Sequence, residues 1–163
     1  MAVGRKEARS TIATFIAPPK VDGINQVFTS FPKRINFQVN ALPSDKNRCA
    51  AVIFIESERE ERIAVGGAHN GWKRVDYSIA IQLFHHSMEN NAEDAMDNFD
   101  YVIDNLKNRL RSDHRFGDNS GTLVWQGAEP RIDTSYGEPT SSDGTATETW
   151  ATIRFDITQM IQA

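Results

Sequence analysis

Four histidines, His69, His85, His86 and His114, and one cysteine, Cys49, are the residues of this chain with the chemistry to hold a transition metal. Their spacing argues against it. His85 and His86 are adjacent, so on a strand they point to opposite faces and cannot converge on one ion. Cys49 has no nearby cysteine, and no zinc-ligand spacing is present. The carboxylates Glu93, Asp94, Asp97, Asp100 and Asp104 are the next candidates, for acid–base work. Asp97, Asp100 and Asp104 recur at i, i+3 and i+7, which puts them on one helix face. General acid–base chemistry needs carboxylates in distinct environments around a pocket. These three lie opposite an apolar stripe, so a solvated face, or a face offered to a basic partner, is the simpler reading.

The other chemical motifs fail on similar grounds. Gly66-Gly67-Ala68-His69-Asn70-Gly71 is glycine-rich. It lacks the Gly-Lys-Ser/Thr ending of a phosphate loop and joins two predicted strands, so it reads as a turn. Asp118-Asn119-Ser120-Gly121 resembles a fragment of a calcium loop but has no closing Glu. No Gly-x-Ser-x-Gly is present, and Cys49 opens an apolar strand, where a structural role is usual. The residues give no reason to expect an enzyme, a cofactor or a metal.

The elements that would position these residues follow from periodicity. Ala8, Ile12, Phe15 and Ile16 predict a short amphipathic helix over 5–16, which Pro18 and Pro19 end. Gln26 to Thr29 is a candidate strand, and 33–48 has no regular pattern. Ala50 to Ile55 is continuously apolar, as expected of a strand covered on both faces. Ile63-Ala64-Val65 reads as a second strand, with the charged segment Glu56 to Arg62 at a hairpin tip. Val75, Tyr77, Ile79, Ile81 and Leu83 alternate with more polar residues and define a strand with one buried face.

A helix over 92–112 carries the stripe Ala92, Ala95, Met96, Phe99, Val102, Ile103, Leu106 and Leu110. Asn90 or Asn91 can cap it; its acids lie early and its bases, Lys107, Arg109 and Arg111, lie late, as the helix dipole favours. Thr122–Trp125 and Arg131–Asp133 are short strand candidates, and 137–144 is a polar, mobile loop. Thr145 to Ile157 alternates as a long strand. On it Trp150 lies opposite the apolar set, so it needs a second layer, from the same chain or from a neighbouring subunit. No repeat or linker divides residues 1–163, so a single domain is expected. Helix, strands, long helix, strands is an α+β order: a mainly antiparallel β-sheet flanked by a short N-terminal helix and one long central helix.

Composition bounds the function. The chain has 163 residues, 18 Lys and Arg against 22 Asp and Glu, and a net charge of −4. That argues against a general nucleic-acid binder, which carries a basic footprint. One cysteine cannot form a disulfide within the chain, which excludes the disulfide-rich secreted scaffolds. The apolar run from Cys49 to Ile55 is far short of the ~20 residues that span a bilayer, and no signal-peptide pattern follows the basic N-terminal residues. A soluble protein acting in a cytoplasm-like compartment is expected.

Residues 73–117 carry a family resemblance. A Lys-x-Val-x-Tyr strand runs into "IQLFHHS" (Ile81 to Ser87), a helix opens with Glu93-Asp94-Ala95, and "LKNRLRSDHRFG" (Leu106 to Gly117) closes the stretch. "VFTSFP" (Val27 to Pro32) follows the N-terminal helix and its proline break, and "YGEPTSSDG" (Tyr136 to Gly144) precedes the last strand. This pattern resembles the tail terminator (tail completion) proteins of long-tailed bacteriophages. The order of elements matches over most of the chain, the specific residues mainly over 73–117, and the motifs are structural.

The resemblance implies a virion protein, assembled in the host bacterial cytoplasm. Such proteins form a six-membered ring on the head-proximal end of the tail tube, stop its polymerisation and present the surface that joins the filled head. The implied partners are further copies of the chain, the tail tube protein and a head-completion or connector protein, with no membrane. Genomic DNA would pass through the lumen without specific binding, as an acidic wall allows. The matched motif identifies no contact residues. Arg59, Arg62, Arg109, Arg111 and Trp150 are the interface candidates on chemical grounds, with both charge signs in Glu56–Arg62 suited to pairing between subunits. Alternatives are another phage neck or head-completion protein, or a small host ligand-binding or enzymatic α+β domain.

Overall fold

The structure, a computed structural model, describes residues 4–64, 71–118, 123–127, 131–142 and 145–162. The predicted Gly-rich turn at 66–71 lies outside the described residues except for Gly71, as do Asn119–Gly121 of the calcium-like segment.

The apolar spacing of the N-terminal segment becomes α1, Arg5–Ile16, which buries Ala8, Ile12, Phe15 and Ile16. β1, Gln26–Phe28, runs parallel to β2, Asn47–Ala64. β3, Trp72–Ser87, pairs antiparallel with β2 along its length. α2, Ala92–Arg111, buries Ala95, Phe99, Val102, Ile103, Leu106 and Leu110, which is most of the expected stripe; Ala92 is exposed and Met96 half-buried. β4, Leu123–Trp125, β5, Asp133–Tyr136, and β6, Thr140–Ser142, are short. β7, Ala146–Gln162, is the last element. The fold is α+β, with a mostly antiparallel sheet in the order β1-β2-β3-β7-β4. β5 and β6 also pair with β7. Together β4, β5 and β6 line one flank of β7 at 157–159, 151–154 and 146–148, as one edge strand broken into three.

Strand parity explains the layers. Across the register, Ile53, Ile81 and Ile153 meet, as do Ala51, Leu83 and Ala151. These residues share one face with Tyr77, Ile79, Phe155 and Ile157, and both helices bury their apolar stripes in the same core. α2 docks through Phe99, stacked on His85 at 4.8 Å between ring centroids. Trp125 Nε1 donates to the Leu110 carbonyl at 3.1 Å and holds the end of α2 to the sheet.

Two expectations about this sheet are corrected. Glu56–Arg62 is not a hairpin tip. β2 continues through it to Ala64 as one strand, and Ile63 and Ala64 belong to that strand rather than to a second one, while Val65 lies outside the described residues. The segment contains no Gly or Pro to turn the chain, and its charged rungs lie opposite Lys73, Arg74 and Asp76 of β3. Both faces at this end of the strand are open to water, so charges there cost little. The loop at 137–144 is not wholly irregular either: Thr140–Ser142 pairs with β7, while Asp143 and Gly144 lie outside the described residues. β5 starts at Asp133, at the end of the predicted Arg131–Asp133 strand.

Candidate functional site

The closing motif of 73–117 has a clear physical form. After α2 the Asp113 carboxylate accepts the backbone N–H of Arg115 and of Gly117, both at 2.9 Å. These two bonds hold its carboxyl below the usual range. Phe116 and Gly117 follow with φ of +53° and +71°. The second value suits glycine, and the first is strained for a bulky residue. The Phe116 ring offsets that strain by packing in the core against Phe15, Trp125 and Phe155, at 5.8, 5.3 and 5.9 Å. Asp, Phe and Gly in this order therefore make a turn that ends α2 and anchors it. The chemistry is architectural.

The five interface candidates do not converge. Arg59 and Arg62 sit within β2, opposite Asp76 and Lys73, and their parity sends them to opposite faces of the sheet. Both are exposed. Arg109 is occupied inside the chain: its Nε donates to the Phe15 carbonyl at 3.0 Å, and its guanidinium lies 4.0 Å from the centre of the Phe15 ring. That residue ties α2 to α1. Arg111 is exposed at the end of α2. Trp150 is 42% exposed on the face of the sheet away from the helices, opposite Phe84. No helix covers it. Its indole lies over Gly137, where an added Cβ would meet Cε2 at 2.1 Å, and the Gly137 N–H donates to the Trp150 carbonyl. Trp150 and Arg59 share this outer face, yet their rungs are eight residues apart on β3, about 26 Å.

The outer face has two halves. Toward one end it is polar and largely paired within the chain. Arg74 pairs with Asp76 at 2.9 Å, Thr158 donates to Asp76 at 2.6 Å and Ser78 donates to Asp156 at 2.8 Å. Arg154 bridges Glu56 and the Ser135 hydroxyl, both at 3.0 Å. Toward the other end it is apolar. Ala50, Val52 and Ala80 are buried, Phe31 lies against Phe54 at 5.1 Å, and Phe37 stacks on His86 at 5.2 Å. The segment after β1, irregular as expected as far as Lys46, supplies this second cover, whereas Asn47 and Arg48, expected to be irregular too, belong to β2.

Beside it lies a cavity of about 470 Å³ lined by Arg34, Ile35, Asn36, Phe37, Gln38, Arg48 and His86. Arg48 is only 8% exposed. Its Nε is buried without a hydrogen-bond partner, and its side chain makes no ion pair among the described residues. His86 Nδ1 sits 3.4 Å from Glu148, close enough for an ion pair when protonated but without hydrogen-bond geometry. Sequence reasoning missed Arg48. The available signal was parity: Arg48 is in step with Ala50, Val52 and Phe54, and a run that is apolar on both faces implies cover for its neighbours too.

His85 and His86 do point to opposite faces. His85 is buried beside Phe99 and within 3.0 Å of Asn98, and burial lowers its pKa. Cys49 is buried, and burial pushes its thiol far up. Asp97, Asp100 and Asp104 are all exposed. Among the described residues no group of three or more His, Cys, Asp or Glu is placed to hold a metal ion, and no helix is long and apolar enough to cross a membrane.

No family model and no curated protein matches the chain. Among solved structures the chain is similar to one from the virion of a native gene transfer agent particle, at 8% identity, over 95% of this chain and 94% of the other, with a TM-score of 0.30. An overlap that loose assigns no role to this chain.

Proposed function

We propose that this chain is a structural virion protein of a long-tailed phage-like particle. In this reading six copies close as a ring on the head-proximal end of the tail tube, stop its growth and offer the surface that joins the head. It performs no catalysis and needs no cofactor. Its partners are its own copies, the tail tube protein and a head-completion or connector protein.

The observation that carries the reading is the stretch Lys73–Gly117. Its resemblance to tail terminators lies in a strand, an acid-started helix and a closing Asp-His-x-Phe-Gly. In this chain those residues are the ones that seat α2 on the sheet and end it. The rest of the chain is compatible with assembly: an exposed Trp150, an acidic balance that would let DNA pass, and a sheet with faces of different character.

The test is polymerisation of purified tail tube protein with and without this chain, with tube lengths read by negative-stain microscopy. A terminator shortens the tubes and appears at one end only. Binding to a head connector with no effect on tube length would favour another neck protein. Binding to neither would sink the virion reading.

A further inference from the structure

Arg48 presents a problem that the fold itself leaves open. An arginine cannot shed its proton when buried, so it stays charged. A buried charge without a counter-ion is among the costliest features a fold can carry. Arg48 is more than nine-tenths buried, its Nε is shut off from water without a partner, no carboxylate pairs with it among the described residues, and it lines a cavity that Arg34 also lines. Asn36 and Gln38 add amide groups to the same wall. Glu148, beside His86 of this wall, makes no ion pair with Arg48. Two guanidinium groups with planar, forked donors suit an oxyanion such as a carboxylate.

We propose that this cavity receives a carboxylate from a second copy of the chain, supplied by the row Asp97, Asp100 and Asp104 on α2. The proposal rests on the assembling role given above and names its contact. The row is exposed and makes no ion pair among the described residues. It lies on the helix side of the sheet, whereas Arg48 shares the parity of the outer face. Donor and receiver are thus on opposite sides of one molecule, which makes the contact head-to-tail. Contacts of this kind build rings when the rotation closes. Copies that each carry −4 repel one another, so a matched cation pocket is what would fix their register.

The experiment measures self-association of the full chain by sedimentation velocity over a concentration series. Arg48→Met removes the buried charge while keeping an apolar stem, and circular dichroism checks that it folds. The triple variant Asp97→Asn, Asp100→Asn, Asp104→Asn removes the proposed donor from an exposed surface. Each should raise the midpoint concentration for assembly at least tenfold, and the two together should do little more than either alone. Wild-type assembly that is indifferent to Arg48→Met overturns this proposal and leaves the ring standing. A loss with Arg48→Met but none with the triple variant overturns the named donor. Inorganic phosphate that shifts the NMR signals of Arg48 without affecting assembly would make the cavity a free-oxyanion site instead. A wild type that stays monomeric at every concentration, with tail tubes present, overturns both readings.

Discussion

Truncating Phe99 to alanine tests the packing on which every other placement depends. Phe99 is fully buried near the middle of the α2 stripe, and its ring stacks on His85. The substitution deletes a whole aromatic ring from a site walled by β-sheet side chains that cannot collapse far. Large-to-small changes of this kind cost about 3–5 kcal/mol. For a domain of this size each kcal/mol moves the melting temperature by about 2–4 °C, so a fall of roughly 6–20 °C is expected. Urea unfolding followed by the fluorescence of the buried Trp125 gives the same quantity independently, with the midpoint lowered and the slope unchanged. A loss below ~1 kcal/mol would mean that α2 is not docked on the sheet through this face.

Three other variants probe separate parts of the structure. Gly137→Ala puts a Cβ where the Trp150 indole lies, so the ring must swing outward; a red-shifted tryptophan emission and a loss of about 1–3 kcal/mol are expected, and an unchanged spectrum would refute that contact. Burial lowers the His85 pKa, so the unfolded chain binds the proton more readily than the folded one. That contribution to stability is fully present above the ordinary histidine pKa of ~6.5 and declines as pH falls below it. The stability advantage of wild type over His85→Gln should therefore shrink between pH 7.5 and 5, and a constant difference would contradict the burial. Reversing Arg59 and Arg62 to Glu should leave the fold within about 0.5 kcal/mol, because both are exposed. Unchanged assembly after that reversal would remove this end of β2 from the contact surface.

The parts legible in the sequence were those with an unbroken period. α1, α2, β3 and β7 each bury one face, and their apolar residues recur at the spacing of that face. β2 was legible as far as Ile55 and again at Ile63 and Ala64, but as two strands rather than one. Beyond Ile55 the apolar signal stops because water reaches both faces, yet hydrogen bonding to β3 continues through charged rungs such as Arg59 opposite Asp76. Hydropathy cannot see a strand held by backbone hydrogen bonds and ion pairs such as Lys73 with Glu60. β4, β5 and β6 are three or four residues long, too short for a period, and β7 defines them as its edge. The cover over Val52 and Ala80 comes from an irregular segment whose Phe31 and Phe37 have no spacing to read. Arg48 was missed because the apolar run begins only after it, although it keeps the parity of Ala50 and Val52. Arg109 had the right chemistry for an interface but is consumed by Phe15, a contact 94 residues distant in sequence.

Native mass measurement of the purified protein across a concentration series tests the proposed closed ring most sharply. Six chains of 18.3 kDa make a particle of about 110 kDa. A closed ring gives a single species at that mass, alone or on tail tube ends, with nothing larger as concentration rises, because a ring has no free surface left to extend. A chain that remains at 18.3 kDa under every condition, or that grows into open-ended polymers, would contradict it.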